Sequence, residues 1–299
     1  MSRLRGRSLG SLMLGAVVVA YIAWSLLPVG VAFLFSFNRG YSRSIWQGFS
    51  LQWWIGPHSV FRNSTYAGAI THSLLLAGLA VLITVPLGVS LAVLLSRWRG
   101  RGTRGLSLLA TVPLVVPELV LSLAMFFLVT RLLTFVSLGT PAQVVGQVTF
   151  ILPLVVVITR GRLTSIPIGF EEAATDLGAS SLGAIRLVLL PLLQPAILAS
   201  AIVTFAVSID DFVITQYMSS TSATQSVPMV IYNATRGGAT PVLNAMAVVM
   251  AVTTILIAGL SFLGYRFLVQ REQFGALETE PELTAPPITT VPATNEGGW

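Results

Sequence analysis

The chain has 299 residues, a formal charge of +6 and a pI near 10.5, yet only 9% of its residues are charged, 54% are hydrophobic and the mean hydropathy is +0.84. A soluble domain carries about a quarter charged residues, so this composition excludes one and leaves an integral membrane protein, whose arginines are scattered among loops rather than gathered into a nucleic-acid-binding face. There is no cysteine, and all 17 basic residues are Arg, which excludes a disulfide framework, thiolate chemistry and a phosphate loop of the Walker type, whose Lys holds the nucleotide phosphates.

In chain order, Arg3, Arg5 and Arg7 precede an uncharged run from Ser8 to Phe37. That run is too long for a signal-peptide core and is read as a first, retained transmembrane helix. Asn38 to Ala69 forms a polar outer loop whose Trp46, Phe49, Trp53 and Trp54 suit either an aromatic belt at the headgroups or a docking surface. The second span covers Ile70 to Ser96 and is followed by Arg97, Arg99, Arg101 and Arg104, a dense inside signal. The third, Leu106 to Thr130, contains Pro113, Pro117 and Glu118; the fourth runs from Gln143 to Ile158, with Arg160 and Arg162 behind it.

Next comes a short polar stretch, then a fifth span from Val188 to Ile209 closed by Asp210 and Asp211. An outer segment from Phe212 to Pro241, partly re-entrant, leads to a sixth span from Val242 to Leu263. This topology puts twelve arginines inside and five outside, so the N-terminus and C-terminus are both expected in the cytoplasm. The expected fold is all-α, a polytopic membrane protein of six transmembrane helices forming one domain over residues 1–271. Residues 272–299, rich in Glu, Pro and Thr, are expected to be a disordered cytoplasmic tail. A β-barrel is excluded by the length and continuity of the apolar runs.

The stretch from Glu171 to Pro195 mixes carboxylates, small residues and glycine between two apolar regions. Glu171, Glu172 and Asp176 fall within about two helical turns, and Ala173, Ala174, Gly178 and Ala179 give a surface of little side-chain bulk that a partner can approach closely. An interfacial helix resting on lipid is the plainer alternative, but such helices carry basic residues and bulky apolar ones, and this stretch is read as having neither.

The order Glu172-Ala173-Ala174, then Gly178, then Val188-Leu189-Leu190-Pro191 resembles the EAA loop of the binding-protein-dependent ABC importer permeases, with Val188 where Ile is usual. The resemblance implies a coupling helix on the cytoplasmic side, seated in a cleft of a separate ATPase dimer. Residues 113–122 (PLVVPELVLS), 208–215 (SIDDFVIT) and 228–245 (PMVIYNATRGGATPVLNA), with the loop string from Trp46 to Trp53, are similar to the spermidine/putrescine branch of that family. The partners this implies are ABC ATPase subunits, a homologous second permease, an extracytoplasmic polyamine-binding protein and the lipid of a bacterial inner membrane. The chain itself is expected to be a non-catalytic transport subunit without a cofactor.

Three acids are candidates for the substrate pathway. If the third span were one continuous helix, Glu118 would lie about 18 Å beyond Leu106, near mid-membrane, where it either lines a cation route or bonds backbone freed by Pro117. Asp210 and Asp211 lie about 33 Å along the fifth helix, either hydrated at the membrane edge or at the mouth of a cation pathway, against the helix dipole. His58 and His72 are isolated in sequence and lack zinc-ligand spacing. An autonomous, gradient-driven carrier using Glu118 is the rival from another class.

Overall fold

In the computed structural model, residues 9–42, 45–98, 100, 102–237 and 240–278 are described. Arg3, Arg5, Arg7, Arg43, Arg99, Arg101 and most of the expected tail lie outside them. The chain forms α1 (Leu9–Phe35), α2 (Gln52–Ile55), α3 (Ser64–Arg97), α4 (Thr103–Val115), α5 (Glu118–Arg131), α6 (Thr140–Leu163), α7 (Gly169–Asp176) and α8 (Ser181–Ala184). A π-helical turn (Ile185–Leu189) feeds α9 (Leu190–Asp210). Then follow α10 (Val213–Met218), a 3-10 turn (Ser222–Thr224), α11 (Val227–Gly237) and α12 (Val242–Glu278). The bridge between Asn38 and Phe49 is isolated, so the described fold is all-α.

Among the described residues, five helices are long and apolar enough to cross a membrane, and a sixth crossing is available if α4 and α5 count as one broken span. That break corrects the continuous third helix expected over Leu106 to Thr130. The axes of α4 and α5 differ by 113°. Its cause is local: Pro117 has no N–H to continue the ladder and forces Val116 into an extended conformation (φ −75°, ψ 129°), so α4 ends at Val115. The distance of Glu118 along a straight helix from Leu106 therefore does not give its depth. Other boundaries move less. α3 begins at Ser64, capped by Asn63, whose side chain accepts from the amides of Thr65 and Tyr66. α12 runs on to Glu278, past the boundary expected at residue 271.

The centre of the molecule is the packing of α3, α6 and α9. Val85, Val89, Ala92 and Val93 of α3 meet Val155 and Val156 of α6 and Leu193 of α9 in one buried cluster. α3 and α6 approach closely because position 88 is glycine: a Cβ there would stand 2.5 Å from Val155 Cγ1. A second cluster joins Trp53, Ile70, Phe205, Val227 and Met246, and a third seats α10 against α5 and α6 through Met125, Val129, Ala142, Ile214 and Met218. In the loop after α1, Trp53 is only 2% exposed and its indole N–H donates to the Asn38 carbonyl at 2.7 Å. Trp54 stacks on Phe37, so these two tryptophans pack inside the protein while Trp46 and Phe49 remain exposed.

Candidate functional site

Two groups of polar residues lie at opposite ends of the α3–α6–α9 packing. The first is the elbow built by α7 and its flanks. α7 ends in a Schellman motif: the Gly178 amide donates to the Thr175 carbonyl at 2.9 Å and the Ala179 amide to the Ala174 carbonyl at 3.0 Å. The motif needs a left-handed residue, and Gly178 supplies it at φ +88°. Ser180 then caps α8 by accepting from the Gly183 amide.

No residue of α7 is buried. Glu172, Ala173, Asp176, Leu177 and Gly178 are exposed, and Ala174 and Ala179 are half-covered. Phe170 and Leu177, at the two ends of α7, are exposed as well, Leu177 to 90%. The elbow thus carries bulky apolar residues next to its carboxylates, which corrects the expectation that it has none. Glu171 differs from its neighbours. Its Oε1 accepts from Arg97 Nε at 2.8 Å and Nη2 at 2.7 Å, joining α7 to the end of α3.

The second group surrounds Asp211. Asp211 follows α9 and is 6% exposed. One carboxylate oxygen accepts from the Ile214 amide at 3.1 Å, and the other from the Thr215 amide at 3.2 Å and from Gln147 Nε2 at 3.0 Å. The side chain therefore satisfies two of the free amides in the first turn of α10, as a capping acid does. The Gln147 carbonyl oxygen accepts from the Ser208 hydroxyl at 2.7 Å. Glu118, the first residue of α5, brings a second carboxyl beside that of Asp211.

The network continues through Thr215, which shares a hydrogen bond with Ser226 at 3.1 Å and whose carbonyl accepts from Gln143 Nε2 at 3.1 Å. Gln143 Oε1 meets His72 Nε2 at 2.8 Å. His72, Gln143 and Gln147 were not singled out by sequence as partners of these acids. The available signal was the spacing of Gln143 and Gln147, four apart on one face of an apolar helix.

Asp210 is placed differently from Asp211. It is exposed and lines a cavity of about 860 Å³ between α1, α9, α11 and α12, together with Phe212 and Tyr232. The rings of Phe212 and Tyr232 lie 4.7 Å apart, and the Arg236 guanidinium sits 4.8 Å from the centre of the Tyr232 ring. The structure thus brings Glu118 and Asp211 together and turns Asp210 toward a separate space.

Known proteins give a consistent comparison. Residues 84–273 match the family described as "Binding-protein-dependent transport system inner membrane component". The chain is 31% identical over 248 residues to the spermidine/putrescine transport system permease protein PotC of Escherichia coli (strain K12), covering 83% of this chain and 92% of that one. It is 30% identical over 258 residues to the putrescine transport system permease protein PotI of the same organism, covering 83% and 88%. In structure it resembles a chain of a bacterial ABC transporter involved in the import of the acidic polysaccharide alginate, with a TM-score of 0.70, 16% identity, and coverage of 89% of this chain and 99% of the other.

Proposed function

This chain belongs to the binding-protein-dependent transport system inner membrane components, and on that premise we propose that it is the membrane-spanning subunit of an ATP-driven importer of polyamines. The observation that carries the reading is the exposed elbow between α6 and α9, with Glu172, Ala173, Asp176 and Leu177 uncovered and held in shape by the Schellman turn at Gly178. A small-residue surface edged with acids and two apolar side chains, outside the apolar spans, suits a protein partner better than lipid.

In this reading an ATPase dimer grips the elbow from the cytoplasm, where both termini of the chain also lie, in a bacterial inner membrane. ATP is hydrolysed on that partner. A homologous second permease completes the pathway, and an extracytoplasmic binding protein delivers the substrate. The permease domain extends through α12 to Glu278, and the residues beyond it form a cytoplasmic tail.

The polyamine assignment draws on the names of the relatives, spermidine/putrescine and putrescine permeases, and on the acids. The carboxyl of half-exposed Glu118 lies beside that of buried Asp211, a pairing that favours a nearby positive charge. Asp210 offers a carboxylate next to aromatic rings in a mainly apolar cavity, a combination that suits an ammonium on a hydrocarbon body. Closure of the ATPase dimer would push on the elbow and change which side of the membrane these acids face.

The test is uptake of labelled spermidine and putrescine into proteoliposomes holding the complete transporter and its binding protein. Uptake is expected only with ATP inside the ATPase-facing compartment, and is expected to fall at least tenfold without it. Uptake by the purified chain alone, driven by an ion gradient and indifferent to ATP, would instead identify a secondary transporter.

A further inference from the structure

Glu171 stands apart from the rest of the elbow because its carboxylate is turned inward. A single oxygen, Oε1, receives both Nε and Nη2 of Arg97, and the same Nη2 lies 3.5 Å from the Ile166 carbonyl in the linker before α7. The two side chains are 22% and 15% exposed. Glu172 and Asp176, on the same short helix, are exposed.

The connectivity gives this contact its meaning. Of the three helices packed at the centre, α6 and α9 are joined to the elbow by the chain itself, through residues 164–168 and 177–189. α3 is not; the nearest part of α3 is its end at Arg97. On the side facing Leu182 and Ile185, that end borders a cavity of about 940 Å³ lined by Val93, Leu94, Arg97 and Trp98. Val93 and Leu95 of α3 pack with Ile166 and Leu189 of the elbow's flanks, but it is the Arg97–Glu171 ion pair that carries α3 onto α7 itself.

We propose that Glu171 is a positioning residue that couples the elbow to α3, so that a displacement of the elbow moves α3, α6 and α9 as one body. The inference rests on the reading that the elbow receives an ATPase, and it assigns Glu171 to a role different from docking. Two guanidinium nitrogens converging on one carboxylate oxygen form a charge-assisted contact with a fixed direction, which an apolar contact lacks. Without the pair, the partner could still bind and hydrolyse ATP, but α3 would follow the elbow less faithfully.

The experiment uses the complete transporter, purified by a tag on this chain. Two quantities are read: the amount of ATPase retained, and the spermidine imported per ATP hydrolysed. Glu171→Gln is expected to retain the ATPase and its hydrolysis while lowering the import ratio roughly fivefold or more, the lower range of coupling between linked sites. The charge exchange Arg97→Glu with Glu171→Arg is expected to restore most of that ratio, which a loss caused by misfolding or by a missing ATPase contact would not do. An unchanged ratio in Glu171→Gln, loss of the ATPase from it, or failure of the exchange to restore import would each overturn the proposal. A wild-type chain that retains no ATPase would overturn the docking reading beneath it, and is recognised before any variant is made.

Discussion

At the scale of single residues, neighbours in sequence have separated roles. Asp210 is the last residue of α9 and faces a cavity, whereas Asp211 leaves the helix in an extended conformation (ψ 118°) and turns into the protein to meet Gln147 and the amides of α10. Asp211→Ala would leave those donors buried without an acceptor, at about 1–3 kcal/mol for each. We expect it to lower the melting temperature in detergent clearly, whereas Asp210→Ala leaves melting nearly unchanged; equal effects would contradict the assignment. Gly178→Ala tests the elbow's turn. Its Cβ would meet nothing within 4 Å, so the cost is the left-handed backbone alone, about 1–2 kcal/mol. Limited proteolysis should then cut the elbow faster. The sequence marked Asp210, Asp211 and Glu118 as unusual because acids are rare in apolar runs, but it held no sign of which would be capped. That depends on Gln147, which is 64 residues from Asp211 and reaches it only through packing.

At the scale of elements, the six apolar runs were visible because hydropathy and loop arginines survive any detail of packing. The bend between α4 and α5 was not, because hydropathy is continuous across it and Pro113 lies within α4 without ending it. Only Pro117, acting on Val116, breaks the helix. Close approach of α3 and α6 is equally a matter of one position. Gly88→Val would drive side-chain carbons into Val155, whose Cγ1 already stands 2.5 Å from a Cβ built there. Overpacking of this kind costs about 1–3 kcal/mol, and Val155→Ala should recover part of it. Thermal melting of the single and double variants checks this, and a double variant no more stable than Gly88→Val would count against direct contact.

At the scale of the whole molecule, the surface is unfinished. α1 has no buried residue from Gly10 to Phe35, and Phe170 and Leu177 are exposed at the elbow. Lipid covers side chains within the bilayer, but it does not account for an apolar and acidic surface beyond the spans. The EAA resemblance was legible from a short motif and its spacing, whereas the inward turn of Glu171 needed Arg97, 74 residues away. For that reason Glu172→Lys, unlike Glu171→Gln, is expected to release the ATPase during purification, with the melting temperature of this chain unchanged.

Because the natural chain contains no cysteine, Ala173→Cys places a single thiol on the exposed face of α7. Its labelling by a water-soluble maleimide can be followed in the isolated chain and in the complete transporter. The account predicts rapid labelling of the isolated chain and strong protection in the assembly, as the ATPase covers the elbow. Equal labelling in both, with the ATPase present and hydrolysing ATP, would contradict it.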